Sequence, residues 1–165
     1  MLFFCTADIF WHTYWNNVTK QIIMRNVVQY EGIKLWVDQD VIHCKLRPDF
    51  FKNYEKDKTE EALFNAISIL YDREYRPLLL DLKQINSTDA IEIFMLISNS
   101  VPINTLVLSR AFLVRSTCLK FLLALNNITG NRVVPNRIYT DFDLALLYCK
   151  NKYKNFNTVS QGSFT

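Results

Sequence analysis

Glycine is nearly missing from this chain: there are three in 165 residues, Gly32, Gly130 and Gly162. They stand too far apart to build the glycine-rich turn that cradles a phosphate at a helix start, which excludes a dinucleotide fingerprint and a P-loop. Histidine is as scarce, with only His12 and His43. The cysteines Cys5, Cys44, Cys118 and Cys149 include no C-x-x-C pair, so the spacing and histidine support of a metal cage are both lacking. Three of them fall in apolar stretches, where reduced core thiols of a cytoplasmic protein are expected. No G-x-S-x-G elbow and no H-E-x-x-H pair occurs. No apolar run approaches the roughly 20 residues of a membrane-crossing helix. The opening MLFFCTADIFWHTYW is aromatic, but it has no basic leading segment, and Asp8 and His12 interrupt it, which argues against a signal peptide. Charge is modest as well: the net +3 and the 21% of charged residues fall short of the clustered excess of a nucleic-acid binder.

What the chain does have is apolar content, 50% of it, enough at this length for one domain with a sizeable core. Residues 1–24 lack a clean period and are set apart as an N-terminal extension. They read either as an added helix or as sequence upstream of a start at Met24. From residue 26 the pattern becomes regular. Residues 26–30, 33–38 and 41–46 read as three strands, and the last two alternate with period two. Ile33, Leu35 and Val37 share one face, and so do Ile42, Cys44 and Leu46. A hairpin closing at Gln39-Asp40 therefore pairs Val37 with Ile42, Leu35 with Cys44 and Ile33 with Leu46. That register leaves Val41, His43 and Lys45 facing outward, sets Trp36 beside His43, and puts Lys34 opposite Lys45, a like-charge pair.

Helices and strands then alternate. Residues 57–71 form a helix capped by Asp57, with Glu60 reaching back and Leu63, Ala66, Ile67 and Leu70 inward. Pro77 marks a break, and Leu78 to Leu82 reads as a central strand covered on both sides. Asn86, Ser87, Thr88 and Asp89 supply cap oxygens for a helix that buries Ala90, Ile91, Phe94 and Ile97. A strand centred on residues 111–114 follows. Next comes a helix capped by Ser116 or Thr117, with Cys118, Leu119, Leu122 and Leu125 as its core stripe. A loop covers 126–136 and a short strand 137–139. A last helix opens with the T-x-x-D of Thr140 and Asp143 and turns Leu144, Ala145 and Tyr148 inward. From about residue 155 a frayed tail is expected. The expected architecture is α/β: a mixed sheet with an N-terminal antiparallel hairpin and packed helices, over residues 25–154.

Two segments carry a family resemblance. Residues 77–89, P-L-L-L-D-L-K-Q-I-N-S-T-D, and residues 110–147, which begin R-A-F-L-V and end R-I-Y-T-D-F-D-L-A-L, resemble the STAS fold of anti-sigma-factor antagonists. With the hairpin, the likeness spans about residues 27–152 and is similar to short bacterial STAS-like proteins of unknown function. It implies a cytoplasmic, non-enzymatic regulatory module that acts through protein partners. One departure stands out. In regulatory members the helix-opening aspartate is followed by a phosphorylatable serine, whereas here Asp89 is followed by Ala90 and Ile91, which carry no hydroxyl.

The residues themselves point the same way. His43 as a base and Asp81 with Asp89 as a carboxylate pair are weaker readings than a stacked surface imidazole, an acceptor of loop amides and a helix-dipole partner. Lys150, Lys152 and Lys154, with Arg132 and Arg137 near them, suggest an anionic contact. The commoner reading of the three lysines is cations at a helix C-terminus. No catalytic residue, metal site or cofactor is expected, and no nucleic acid. The expected partner is another protein or a second copy. It would be met through Asn86, Ser87, Thr88 and Asp89 at the helix start, or through Trp36, Val41 and His43 on the sheet face. The alternative is a small apolar ligand or lipid in a pocket near Phe94, Phe112 and Phe121.

Overall fold

The structure is a computed structural model that describes residues 22–24, 26–30, 32–128 and 133–162. Seven strands form one mixed sheet: β1 (Ile22–Met24), β2 (Val27–Tyr30), β3 (Ile33–Asp38), β4 (Val41–Leu46), β5 (Arg76–Asp81), β6 (Val107–Leu113) and β7 (Asn136–Tyr139). Their order across the sheet is their order in the chain. β1 to β4 are antiparallel neighbours, and β4 to β7 run parallel. The α/β expectation is thus met. The sheet, however, starts earlier than residue 25, because Ile22–Met24 pairs with Val27 to Gln29. Residues 1–21, most of the expected extension, lie outside the described residues.

The hairpin register is the one alternation dictates: Val37 opposite Ile42, Leu35 opposite Cys44, Ile33 opposite Leu46, and Lys34 opposite Lys45. The turn needs positive φ at both central residues, and Gln39 (49°) and Asp40 (62°) adopt it without the help of glycine. Gly32, by contrast, is required. Its φ is +74°, and a Cβ there would lie 2.7 Å from the Cα of Phe50.

Among the described residues five α-helices cover the sheet: α1 (Lys56–Tyr71), α2 (Ser87–Asn99), the single turn α3 (Val101–Asn104), α4 (Thr117–Ile128) and α5 (Phe142–Gly162). Successive parallel strands step the same way across the sheet, so their crossover helices stay on one face. There Leu63, Ile67, Ile93, Phe94, Leu119 and Leu123 share a core with Leu35, Ile42, Leu78, Leu80, Phe112 and Ile138. The chain runs out of strands after β7, and α5 folds back over the opposite face. That smaller core joins Val41, Leu79, Ala111 and Leu113 to Ala145 and Cys149.

Several local expectations are corrected. Helix α1 begins at Lys56 after Glu55, and no side chain caps it, so Asp57 lies inside the first turn. Its inward stripe is as read, with Thr59 added. Pro77 is a residue of β5, set where the β5–β6 register shifts between Arg76 and Leu78, an irregularity that tolerates a missing N–H. In α2 Ala90, Phe94 and Ile97 are buried as read and Ile93 joins them, while Ile91 is only partly buried. Asp141, not Thr140, caps α5, its carboxylate accepting from Leu144 N at 2.9 Å, and Leu144 faces out. The tail does not stop at 155: α5 continues to Gly162, and Phe156 packs against Tyr75 with ring centroids 6.1 Å apart. Lys150, Lys152 and Lys154 therefore stand mid-helix. Arg137 is exposed on β7, and Arg132 lies outside the described residues.

Midway along β6 a charged side chain stands inside the core. Arg110 is fully buried. Its guanidinium donates to Ile97 O at the end of α2, to Asn104 Oδ1 at 2.6 Å on α3, and to Val134 O at 3.1 Å before β7. Beside it, Asn136 Nδ2 donates to Ser98 Oγ at 3.0 Å and to Asn127 Oδ1 at 3.1 Å. These bonds tie three helices and the last strand together, and a cation at the end of α2 also opposes that helix's partial negative charge.

Candidate functional site

In open parallel sheets, loops at the C-terminal strand ends carry most sites. Here those ends bring together the starts of α2, α4 and α5. At the end of β5, Asp81 Oδ1 accepts from Lys83 N at 3.0 Å, the loop-amide role expected of it. Asn86 Oδ1 then caps α2 by accepting from Asp89 N at 2.9 Å, and Asn86 Nδ2 donates back to Asp89 Oδ2 at 2.7 Å. Ser87 is half-buried, and Arg115 at the end of β6 reaches its hydroxyl at 3.5 Å. Ser116 Oγ caps α4 by accepting from Leu119 N at 3.2 Å. The four residues expected as an interaction loop thus stay together at the molecular surface. Two of them, Asn86 and Asp89, spend their polar groups on each other, and among the described residues only Thr88 of the four is both exposed and without a bond to a neighbouring side chain.

The second expected surface is not a surface. Val41 is fully buried and His43 is 4% exposed, because α5 lies over that face and Phe142, its first residue, stacks on the imidazole with ring centroids 6.3 Å apart. Trp36 does stack on His43 as expected, at 5.1 Å and 11° between ring planes, and remains half-buried at the edge of the cover. Desolvation lowers the His43 pKa, with Lys150 acting in the same direction and Asp38 against it. The imidazole is thus held neutral, as a flat core residue. Burial also pushes the thiols of Cys44 and Cys149 up to about 12, where they are poor nucleophiles. Of the described cysteines, only Cys118 is exposed.

The pocket expected near three phenylalanines does not form around them. Phe94 and Phe112 are fully buried and meet edge to face, centroids 4.7 Å apart, whereas Phe121 points to solvent and is 64% exposed. A groove of about 320 Å³ lies elsewhere, bounded by Tyr54, Lys56 and Glu60 on one side and Glu92, Met95 and Asn99 of α2 on the other. Desolvation and the Glu92 carboxylate push the Tyr54 phenol up to about 12, so it stays protonated.

Helix α4 departs furthest from expectation. Only Leu119 and Leu123 are buried. Cys118 is exposed, as are Phe121 (64%), Leu122 (43%), Leu125 (48%) and Ile128 (80%), so most of the expected core stripe faces water. Positions 118, 121, 122, 125 and 128 recur at helical spacing and make one continuous row, nearly opposite the buried pair. Lys120 is the only charged residue of the helix and lies off that row.

The chain matches no protein-family model and no curated protein sequence. No helix among the described residues is long and apolar enough to cross a membrane.

Proposed function

We propose that this chain is a non-enzymatic protein-interaction module of STAS-like kind, and that the outward row of α4 is its docking surface, occupied by the same row of a second copy. The carrying observation is the exposure of Phe121, Leu125 and Ile128 on a helix whose opposite side already packs on the sheet. A soluble monomer rarely leaves a continuous apolar stripe bare. The row has no acid and its single lysine sits to the side, so it offers a charged partner nothing to pair with. Two such rows meet without burying a charge, as in helix-on-helix packing. At on the order of 150–200 Å² per large side chain, the four largest present roughly 400 Å² per copy. Pairing two copies with a polar rim buries on the order of 1,000 Å², the low end for a specific interface, which makes the dimer weak and reversible.

Several features support the kinship: the sequential parallel strands, the aspartate ending β5 and the cap at Asn86 and Asp89. That loop stands at the end where α4 starts and is joined to it through Arg115 and Ser87, which gives the apolar row a polar neighbour. A regulatory role remains part of the proposal, although the position after Asp89 has no hydroxyl to modify.

Sedimentation velocity across micromolar to roughly millimolar protein tests the reading. The wild type should shift from monomer to dimer with rising concentration, while Leu125→Glu should stay monomeric with an unchanged melting curve. A wild type that is monomeric throughout, or a Leu125→Glu variant that dimerises equally, overturns the docking assignment.

A further inference from the structure

Helix α5 packs across β4 to β7, and among the described residues no helix is packed across the β2–β3 end of the same sheet face. There the register lines up Gln29, Lys34, Lys45 and Asp81 on four adjacent strands. A groove of about 280 Å³ opens beside this row, where β3 begins and β4 ends, lined by Gln29, Tyr30, Lys34, Lys45, Arg47 and Gln84. Three of those six side chains are cations and none is an acid. Arg47 alone has a carboxylate partner, Asp49, at 3.0 Å. Among the described residues, neither Lys34 nor Lys45 has a carboxylate within ion-pair range. Lys34 instead lies over the ring of Trp36, 5.4 Å from its centroid, and the acid next in the row, Asp81, accepts from the backbone of Lys83.

Like charges directly opposite on neighbouring strands destabilise a sheet. A dianion between them turns that repulsion into two charge-assisted contacts, and the planar fork of Arg47 suits a phosphate oxygen pair. The two glutamine amides supply neutral donors, while the lysine stems and Tyr30 form apolar walls. We propose that this groove binds a phosphate monoester dianion, held between the Lys34 and Lys45 ammonium groups with Arg47 at the rim. The volume fits a small phosphate ester and is below that of ordinary drug-sized sites. Because the groove opens at the surface, the same group is reachable in a free metabolite or on a lipid headgroup.

Two probes separate these sources: glycerol 3-phosphate followed by calorimetry, and flotation with phosphatidylcholine vesicles with and without phosphatidic acid. Binding should weaken with added salt. It should fall at least tenfold in the Lys34→Ala, Lys45→Ala double variant and hold in a Lys152→Ala, Lys154→Ala control, all with wild-type circular dichroism. Binding to the soluble ester assigns a free ligand. Binding to phosphatidic acid vesicles alone, with the same dependence on Lys34 and Lys45, assigns a headgroup. The proposal is overturned if neither probe binds, if the double variant binds like the wild type, or if the control loses as much.

Discussion

Arg110→Met keeps much of the length and volume of the side chain and removes every donor. In the folded protein those donors serve Ile97 O, Asn104 Oδ1 and Val134 O. Two of the three acceptors are backbone carbonyls, so no second substitution can make them apolar. Each buried acceptor left alone costs about 1–3 kcal/mol, which sums to roughly 3–9 kcal/mol. Sparing the desolvation of a buried guanidinium returns several kcal/mol. The net expectation is a loss of about 3 kcal/mol, a large share of an ordinary domain's stability. At a urea slope of about 2 kcal/mol/M, the unfolding midpoint should fall by about 1.5 M. Asn104→Ala removes one acceptor and leaves the guanidinium its two carbonyls, so its loss should be about 1 kcal/mol. Equilibrium urea unfolding followed by circular dichroism reads all three proteins. A midpoint for Arg110→Met at or above that of the wild type would refute the reasoning, since it would mean that the clasp joining α2, α3 and the approach to β7 contributes nothing.

The turn at Gln39 and Asp40 and the covered imidazole carry two further tests. Asp40→Gly relieves a positive φ of 62° and should stabilise by about 1 kcal/mol, raising Tm by about 3 °C in a calorimetric scan; an unchanged or lower Tm contradicts the strain. For His43, the folded pKa is depressed below the ordinary 6.5 by burial, so the unfolded chain binds the proton more readily. The stability this contributes is whole above pH 6.5 and is lost as pH falls below it toward the folded pKa. The wild type should therefore lose more urea midpoint between pH 7.5 and 5.5 than His43→Phe; equal losses would show that the imidazole titrates freely.

Where the sequence was legible, one face was plainly apolar and the other plainly not. In β3 and β4, Leu35, Ile42 and Cys44 alternate with Lys34, His43 and Lys45, and a one-residue slip would bury charge, so the register follows. Helix α1 sets Leu63, Ile67 and Leu70 against Lys58, Glu61 and other polar neighbours, and the stripe reads off directly. Helix α4 offers Leu119 and Leu123 on one side and Leu122 and Leu125 on the other, and periodicity cannot rank two apolar faces of one helix. The misplacement of Val41 and His43 has a different origin: what covers them is α5, about a hundred residues later in the chain, and no local pattern reports it. Arg110 does leave a trace in the sequence, as a lone cation inside the apolar run LVLSRAFLV.

Synthesis runs from N-terminus to C-terminus, and of the described elements the one that closes the second sheet face is made last. While residues 142 onward are still within the ribosome, β4 to β6 can already have paired and Leu79, Ala111 and Leu113 would meet water as a flat apolar plane. Such a plane is what chaperones hold and what neighbouring nascent chains stick to. A chain interrupted before Phe142 would carry that bare plane permanently, which makes α5 the element on which solubility during biogenesis turns.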